Sequence, residues 1–282
     1  MNVLSISSHV AYGHVGNAAA VFALQRLGVA AWPVHTVRYS NHPGHGRFRG
    51  SATSGAEISE IVAGLDEIGV LGDCDAVMSG YLGDAGSGES VRDAVKLVKR
   101  RNPDANFLCD PVMGDAEAGF FVSKDVQEQA RSATAAADIV TPNAFEIEAL
   151  TGIAAQTVEG ALAAAKRLHE QGPDIVVVSG LAIEPGSIAT MVSESSGASL
   201  VATPCTELGH RPDGAGDLLA ALFLGHYLIN RDSRAALAAA VSSVFGVIEA
   251  AHAGGHRELP LVAAQSELIS PTRKFEADPI VL

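Results

Sequence analysis

The sequence predicts an α/β fold with a mostly parallel central sheet and helices on both faces. Three observations predict it. Short apolar runs alternate with longer segments of helical period along the 282 residues. Some of these runs, "DIVVVSG" above all, are apolar at successive positions. No internal repeat, low-complexity linker or break in composition divides the chain, so one domain over residues 1–282 is expected. Alternation of this kind builds right-handed strand–helix–strand units, and ligands then lie beyond the carboxyl ends of the strands.

The elements follow in order. "NVLSIS" (2–7) reads as a buried strand and "NAAAVFALQRLG" (17–28) as a helix closing at a glycine. "AAWPVHTV" (30–37) reads as a strand in which Pro33 demands an edge or irregular position. "AEISEIVAGLDEIGVL" (56–71) is an amphipathic helix, and "DAVMSG" (75–80) is a strand. "SVRDAVKLVKRRN" (90–102) is a helix with a basic outer face, and "NFLCD" (106–110) and "AADIVTPN" (136–143) are strands. "VEGALAAAKRLHEQG" (158–172) is a helix, and "DIVVVSG" (174–180) is a strand. "IATMVSE" (188–194) and "SLVATP" (199–204) read as an antiparallel pair, and two Ala-rich helices follow at 217–230 and 234–251.

Composition bounds the function. Apolar residues make up 48% and charged residues 18%, which excludes a disordered chain. A net charge of −13 argues against nucleic acid as a partner, because phosphate backbones need Lys and Arg. A small phosphate ligand remains open, since backbone N–H groups and metal ions hold one locally. Cys74, Cys109 and Cys205 form no CxxC pair, so a reducing compartment is expected. The start "MNVLSISSHV" has no basic n-region, and the apolar stretches at 218–225 and 235–248 fall short of the roughly 20 residues that span a bilayer. The expectation is a cytoplasmic protein without membrane contact.

Polar residues and glycines gather at the strand ends. Asp110 ends a strand before Pro111, and Asp115 follows. Asn143 and Glu146 stand in N-x-x-E spacing, for which two readings stay open. Asn143 and Glu146 form the capping box of a short helix, or Glu146 joins Asp110 and Asp115 in an acidic cluster that needs a cation, for which Mg²⁺ with its oxygen ligands is suited. In "DGAGD", Gly214 and Gly216 allow backbone angles closed to other residues, so successive N–H groups can face one anion at a helix start. Asp217 there is either a plain dipole partner or a reacting group. There is no G-x-x-x-x-G-K-[ST] loop, no G-x-G-x-x-G after the first strand, no H-E-x-x-H and no G-x-S-x-G. The ten histidines show no metal spacing and read as surface or hydrogen-bonded residues.

Together "SISSHVAYGHVGN", "VRYSNHPGHG", "SGYLG", "CDPVMGD", "VTPNAFEIEALTG" and "GAGDLLAALFLG" follow the order and spacing of pyridoxal kinases, of the ribokinase-like superfamily. The chain resembles that family over almost its whole length, including "FEADPIVL". The resemblance implies a ribokinase-like fold without a separate lid domain, and transfer of a phosphoryl group from MgATP to the 5′-hydroxyl of pyridoxal, pyridoxine or pyridoxamine. Asp217 then matches the catalytic base, and Gly214, Ala215 and Gly216 the anion hole. Asp110, Asp115, Thr141 and Glu146 match the group organising Mg²⁺ and a monovalent cation such as K⁺. Ser8, Pro43, Gly44, His45, Gly46 and Tyr81 fall on the vitamer side. Ser179, Thr203, Pro204, Cys205 and Thr206 fall on the nucleotide side, with Asp110, Thr141, Glu146 and Gly214. Such proteins are usually homodimers.

Three departures from the family pattern matter. "SNHPGHG" carries Pro43 and His45 where many members have "SNHTGY", which drops a hydroxyl and a phenol and raises an altered vitamer preference against neutral drift. Ser179 stands where some bacterial members have Lys, and Arg211 is an alternative cation for the phosphates. "TPCTELGHRPDGAGD" is shorter than in some relatives, and Cys205 within it reads as a packing residue. Competing readings are a hydroxymethylpyrimidine kinase, disfavoured by "SSHVAYGHVGN" and "SNH", and a non-catalytic pyridoxal phosphate-binding protein, disfavoured by the intact Asp217, Glu146 and Asp110.

Overall fold

The computed structural model describes residues 1–205 and 212–280. The chain runs β1 (Asn2–Tyr12), α1 (Asn17–Arg26), β2 (Ala30–Asn41), β3 (Gly50–Ala52), α2 (Gly55–Glu67), β4 (Ala76–Ser79), α3 (Ala85–Arg101) and β5 (Asn106–Cys109). It continues through β6 (Gly114–Asp115), β7 (Gly119–Phe120), α4 (Lys124–Ala135), β8 (Ile139–Val140), α5 (Ala144–Thr151), α6 (Val158–His169) and β9 (Ile175–Glu184). β10 (Ser187–Glu194), β11 (Gly197–Pro204), α7 (Ala215–Asn230), α8 (Ser233–Ala253) and β12 (Asp278–Pro279) complete it.

Ten strands form one sheet in the order β12-β11-β10-β9-β8-β5-β4-β1-β2-β3. The run from β9 to β2 is parallel, and β3, β10, β11 and β12 add antiparallel edges. The chain leaves β1 to one side for β2 and returns on the other side for β4. The order therefore reverses at β1, and such a reversal opens a crevice at the carboxyl ends of the strands. β6 and β7 make a separate two-stranded ribbon. The described residues contain no further sheet that could act as a lid.

Alternation along the strands sends side chains into two cores. Leu4, Phe107, Val176 and Val178 point to the face covered by α2, α3, α4 and α6. Val3, Leu108, Ile175 and Val177 point to the face covered by α1, α7 and α8. Burial on both faces is why these strands are apolar throughout.

The predicted elements recur with informative differences. The antiparallel pair 188–194 and 199–204 forms as β10 and β11. Pro33 pairs with Ser5 on its β1 side, while β3 reaches β2 only at Val37–Tyr39, so Pro33 lies at an unpaired edge as its missing N–H requires. β1 and β2 run beyond their predicted ends to Tyr12 and Asn41, with a register shift between Ser7 and His9. α4 was absent from the sequence reading because its apolar face is thin: Val126, Ala130, Ala133 and Thr134 are its buried residues. The expected strand 136–143 shortens to β8, since α4 and its cap extend to Ala136. α8, with 21 residues and a mean hydropathy of 1.5, is long and apolar enough to cross a bilayer, contrary to the sequence estimate, but 61% of that window is buried inside the fold.

Asn17 ties the start of α1 to both central strands. It is 2% exposed. Its side-chain oxygen accepts the Ser5 hydroxyl at 2.6 Å, and its amide nitrogen lies 3.2 Å from the Ser7 carbonyl and 3.0 Å from the Val34 carbonyl. Removing it strands these groups in a dry interior. Asn17→Ala is expected to lower stability by about 2–3 kcal/mol in urea denaturation; a change under about 0.5 kcal/mol, the size of a surface substitution, would remove this role.

Candidate active site

The site forms where the turn after β1 meets the start of α7. Gly214 caps α7 in the left-handed region, at φ 91°. A Cβ there would lie 2.1 Å from the His14 carbonyl oxygen, so only glycine fits both the angle and the approach. Gly216 differs from the expectation: it lies within α7 with a helical backbone, and a Cβ there would meet nothing within 4 Å. Its contribution is open space over the helix start, not an unusual angle. The N–H groups of the first turn of α7 have no intrahelical acceptor, and the helix dipole adds partial positive charge there.

Asp217 stands in that first turn, half-buried. Burial pushes its carboxyl above the usual range, while a hydrogen bond from the Gly16 N–H and the nearby His42 offset part of the rise. Gly80, just past β4, leaves room for Ser7 beside the carboxylate: a Cβ there would lie 2.5 Å from Ser7 Oγ and 3.8 Å from Asp217 Oδ1. Ser8 packs against Gly16, where a Cβ would lie 2.2 Å from Ser8 Oγ. Tyr81 follows Gly80, and its carbonyl accepts the Thr36 hydroxyl at 2.5 Å.

The acidic residues separate into a buried pair and an outlier. Asp110 and Glu146 are 7% and 3% exposed. Burial, then the charges of Glu146 and Asp217, push Asp110 well above the ordinary carboxylate range. The Thr141 hydroxyl opposes this rise in part, although its Oγ1 makes no hydrogen bond of standard geometry. Burial raises Glu146 to about 7 against the pull of three backbone amides. Those amides are the Asn143 N–H on Oε2 at 3.0 Å, and the Met113 and Gly114 N–H groups on Oε1 at 2.7 and 3.4 Å. The capping box is therefore formed, and the same carboxylate faces Asp110. It also braces a strained turn, since Val112 has φ 42°, rare for a β-branched residue.

Asp115 does not share the buried position of the pair. It is exposed, and its Oδ1 accepts the Glu117 and Ala118 amides at 2.8 and 2.6 Å in the β6–β7 turn. Among the described residues, no three His, Cys, Asp or Glu side chains are placed to hold an ion by themselves. Ser179 on β9 bridges to Asn143, beside the acidic pair. Thr203 and Pro204 end β11, two strands beyond β9, and Cys205 is exposed, not a packing residue. Thr206 and Arg211 lie outside the described residues.

Residues 43–46 form a turn over this crevice. Pro43–His45 make one 3₁₀ turn, and Gly46 closes it in the left-handed region at φ 80°. Four residues missed in the sequence hold it. His42 Nδ1 lies 2.9 Å from Asp213 Oδ2, and this bond raises the His42 pKa against burial. His45 Nε2 lies 2.6 Å from Glu258 Oε1, and Arg257 donates to the Gly44 carbonyl. Asp213 and Glu258 pair with histidines 171 and 213 positions away, a separation no local pattern signals. The "SNH" stretch was the available cue for His42.

A family model described as phosphomethylpyrimidine kinase matches residues 59–262. Pyridoxal kinase PdxY of Rubrobacter xylanophilus is 49% identical over 280 residues, covering 98% of this chain and 96% of that protein. Pyridoxal kinase PdxY of Corynebacterium diphtheriae is 42% identical over 284 residues, covering 99% and 100%. The structure of pyridoxal kinase from Leishmania donovani in complex with ADP and pyridoxine superposes with a TM-score of 0.93 at 29% identity, covering 99% of both chains. That likeness bears out the ribokinase-like architecture expected from the motifs. Because these relatives match almost end to end at such identities, the chain belongs to the pyridoxal kinase family.

Proposed function

We propose that this chain, acting as one kinase domain in the cytoplasm, transfers the γ-phosphoryl group of ATP to the 5′-hydroxyl of pyridoxal, in B6 salvage. The observation that carries this reading is the meeting of Asp217 with the open first turn of α7, beside the buried Asp110–Glu146 pair. Asp217 accepts the proton as the 5′-oxygen bonds to the γ-phosphorus and the bond to the β-phosphate oxygen breaks, releasing ADP. Phosphoryl transfer has a loose transition state with charge on the outer oxygens. The N–H groups of Gly214, Ala215 and Gly216 face that charge without reorganising. Ser8, Tyr81 and the 43–46 turn hold the vitamer, and Ser179 with residues 203–206 lines the nucleotide side.

The acidic donors fit Mg²⁺, with a qualification from their geometry. All are oxygens, and the Thr141 hydroxyl is a buried group without a standard partner, suited to a monovalent cation such as K⁺. Both Glu146 oxygens already accept amides, which supports an ion reached through waters and phosphate oxygens. Bound there, the ion would neutralise phosphate charge. Asp110 and Glu146 would hold the ion through their carboxylate oxygens, and Asp115 would add negative charge nearby. A second copy of the chain is the proposed partner.

Four outcomes are expected. The wild-type protein consumes ATP with pyridoxal, pyridoxine or pyridoxamine and Mg²⁺ in a coupled assay, in preference to hydroxymethylpyrimidine; absence of turnover with tight pyridoxal phosphate binding would favour a carrier instead. Asp217→Asn lowers kcat by about 10²-fold or more with an unchanged melting curve, and near wild-type turnover would exclude the base role. Because the ionised carboxylate is the active form and burial raises its pKa, kcat/KM should fall on the acid side at a pH above the usual aspartate range. Millimolar Mg²⁺ should raise the melting temperature of the wild type more than that of Asp110→Asn; equal shifts would place the ion elsewhere.

A further inference from the structure

The Glu258 carboxylate joins three segments that are distant in sequence. Oε1 faces His45 Nε2 at 2.6 Å, and Oε2 accepts the His14 N–H at 3.4 Å. A Cβ at Gly13, where φ is 96°, would lie 2.2 Å from Oε2, so the glycine leaves room for the carboxylate. The backbone at Glu258 also bridges to Asp213, which precedes Gly214 and holds His42. The pair is sheltered, with side-chain exposures of 25% for His45 and 13% for Glu258. The Tyr12 ring meets the His45 ring edge-on at 6.0 Å between centroids. At Gly44 a Cβ would lie 2.8 Å from His42 Nδ1 and 3.3 Å from Asp213 Oδ2, so a side chain there would have to displace the His42 ring.

We propose that Glu258 is a positioning residue that acts through His45 to fix the 43–46 turn against the vitamer. The inference rests on the reading of that turn as part of the vitamer site. It also gives Pro43 and His45 a joint role. Pro43 at the start of the 3₁₀ turn limits its backbone, and His45 supplies an anchor to Glu258 that a side chain without a hydrogen-bond donor would not. A rigid turn loses less entropy on binding, so loosening it weakens the vitamer more than the nucleotide.

Glu258→Gln, His45→Phe and the double variant test this by hydrogen exchange and steady-state kinetics on the full chain. Amides of residues 42–46 should exchange faster in each variant without ligand. KM for pyridoxal should rise about tenfold, the effect of losing one charged hydrogen bond. KM for MgATP should stay within about twofold, and the double variant should be no worse than the worse single one. Unchanged exchange, an unchanged KM for pyridoxal, or equal rises in both KM values with a lowered melting temperature would each overturn the role. A wild-type protein that fails to phosphorylate pyridoxal would overturn the proposed function and the kinetic half of this inference, whereas unchanged exchange with normal wild-type turnover would overturn the anchor alone.

Discussion

The site depends on the close approach of Gly214 to the His14 carbonyl. The φ of 91° at Gly214 and the 2.1 Å that a Cβ would leave make this a position for glycine alone. The contact presses the start of α7 against the turn after β1, at the point where strand order reverses. Asp217 then meets the Gly16 N–H, and Gly80 makes room for Ser7 beside it. Asn17, one residue beyond Gly16, fixes the same turn to β1 and β2. Backbone contacts thus set the geometry of the proposed base.

The acidic half of the site shows that capping and electrostatics are compatible roles for one residue. Glu146 closes a capping box with Asn143, braces the turn holding Val112 at φ 42°, and still raises the pKa of Asp110. The strain at Val112 costs about 1–3 kcal/mol, and the amide bonds to Glu146 offset it. Burial, with the charge of Glu146 beside it, keeps the Asp110 carboxyl protonated to a higher pH than an ordinary aspartate. Both Glu146 oxygens accept backbone amides, so this carboxylate has little capacity left for a further partner.

Much of this was legible in the sequence because the signals were local. Continuous apolar runs marked the central strands, and Asn143 with Glu146 marked a helix start. The glycines around Asp217 marked a helix start. Gly216 shows the limit of that logic, since its backbone is helical and needs no glycine. α4 escaped because small residues form its buried stripe. Asp115 has the right residue type and spacing, but the β6–β7 turn uses its carboxylate. His42–Asp213 and His45–Glu258 escaped because tertiary folding alone brings those residues together.

The most direct test is kcat for pyridoxal phosphorylation by Gly214→Ala, measured with the melting temperature. The added methyl group must push α7 away from His14 and carry Asp217 with it. A displacement on the order of 1 Å is expected to lower kcat by about 10²-fold in a protein that still folds. A Gly214→Ala protein with wild-type kcat would contradict the claim that this contact sets the site.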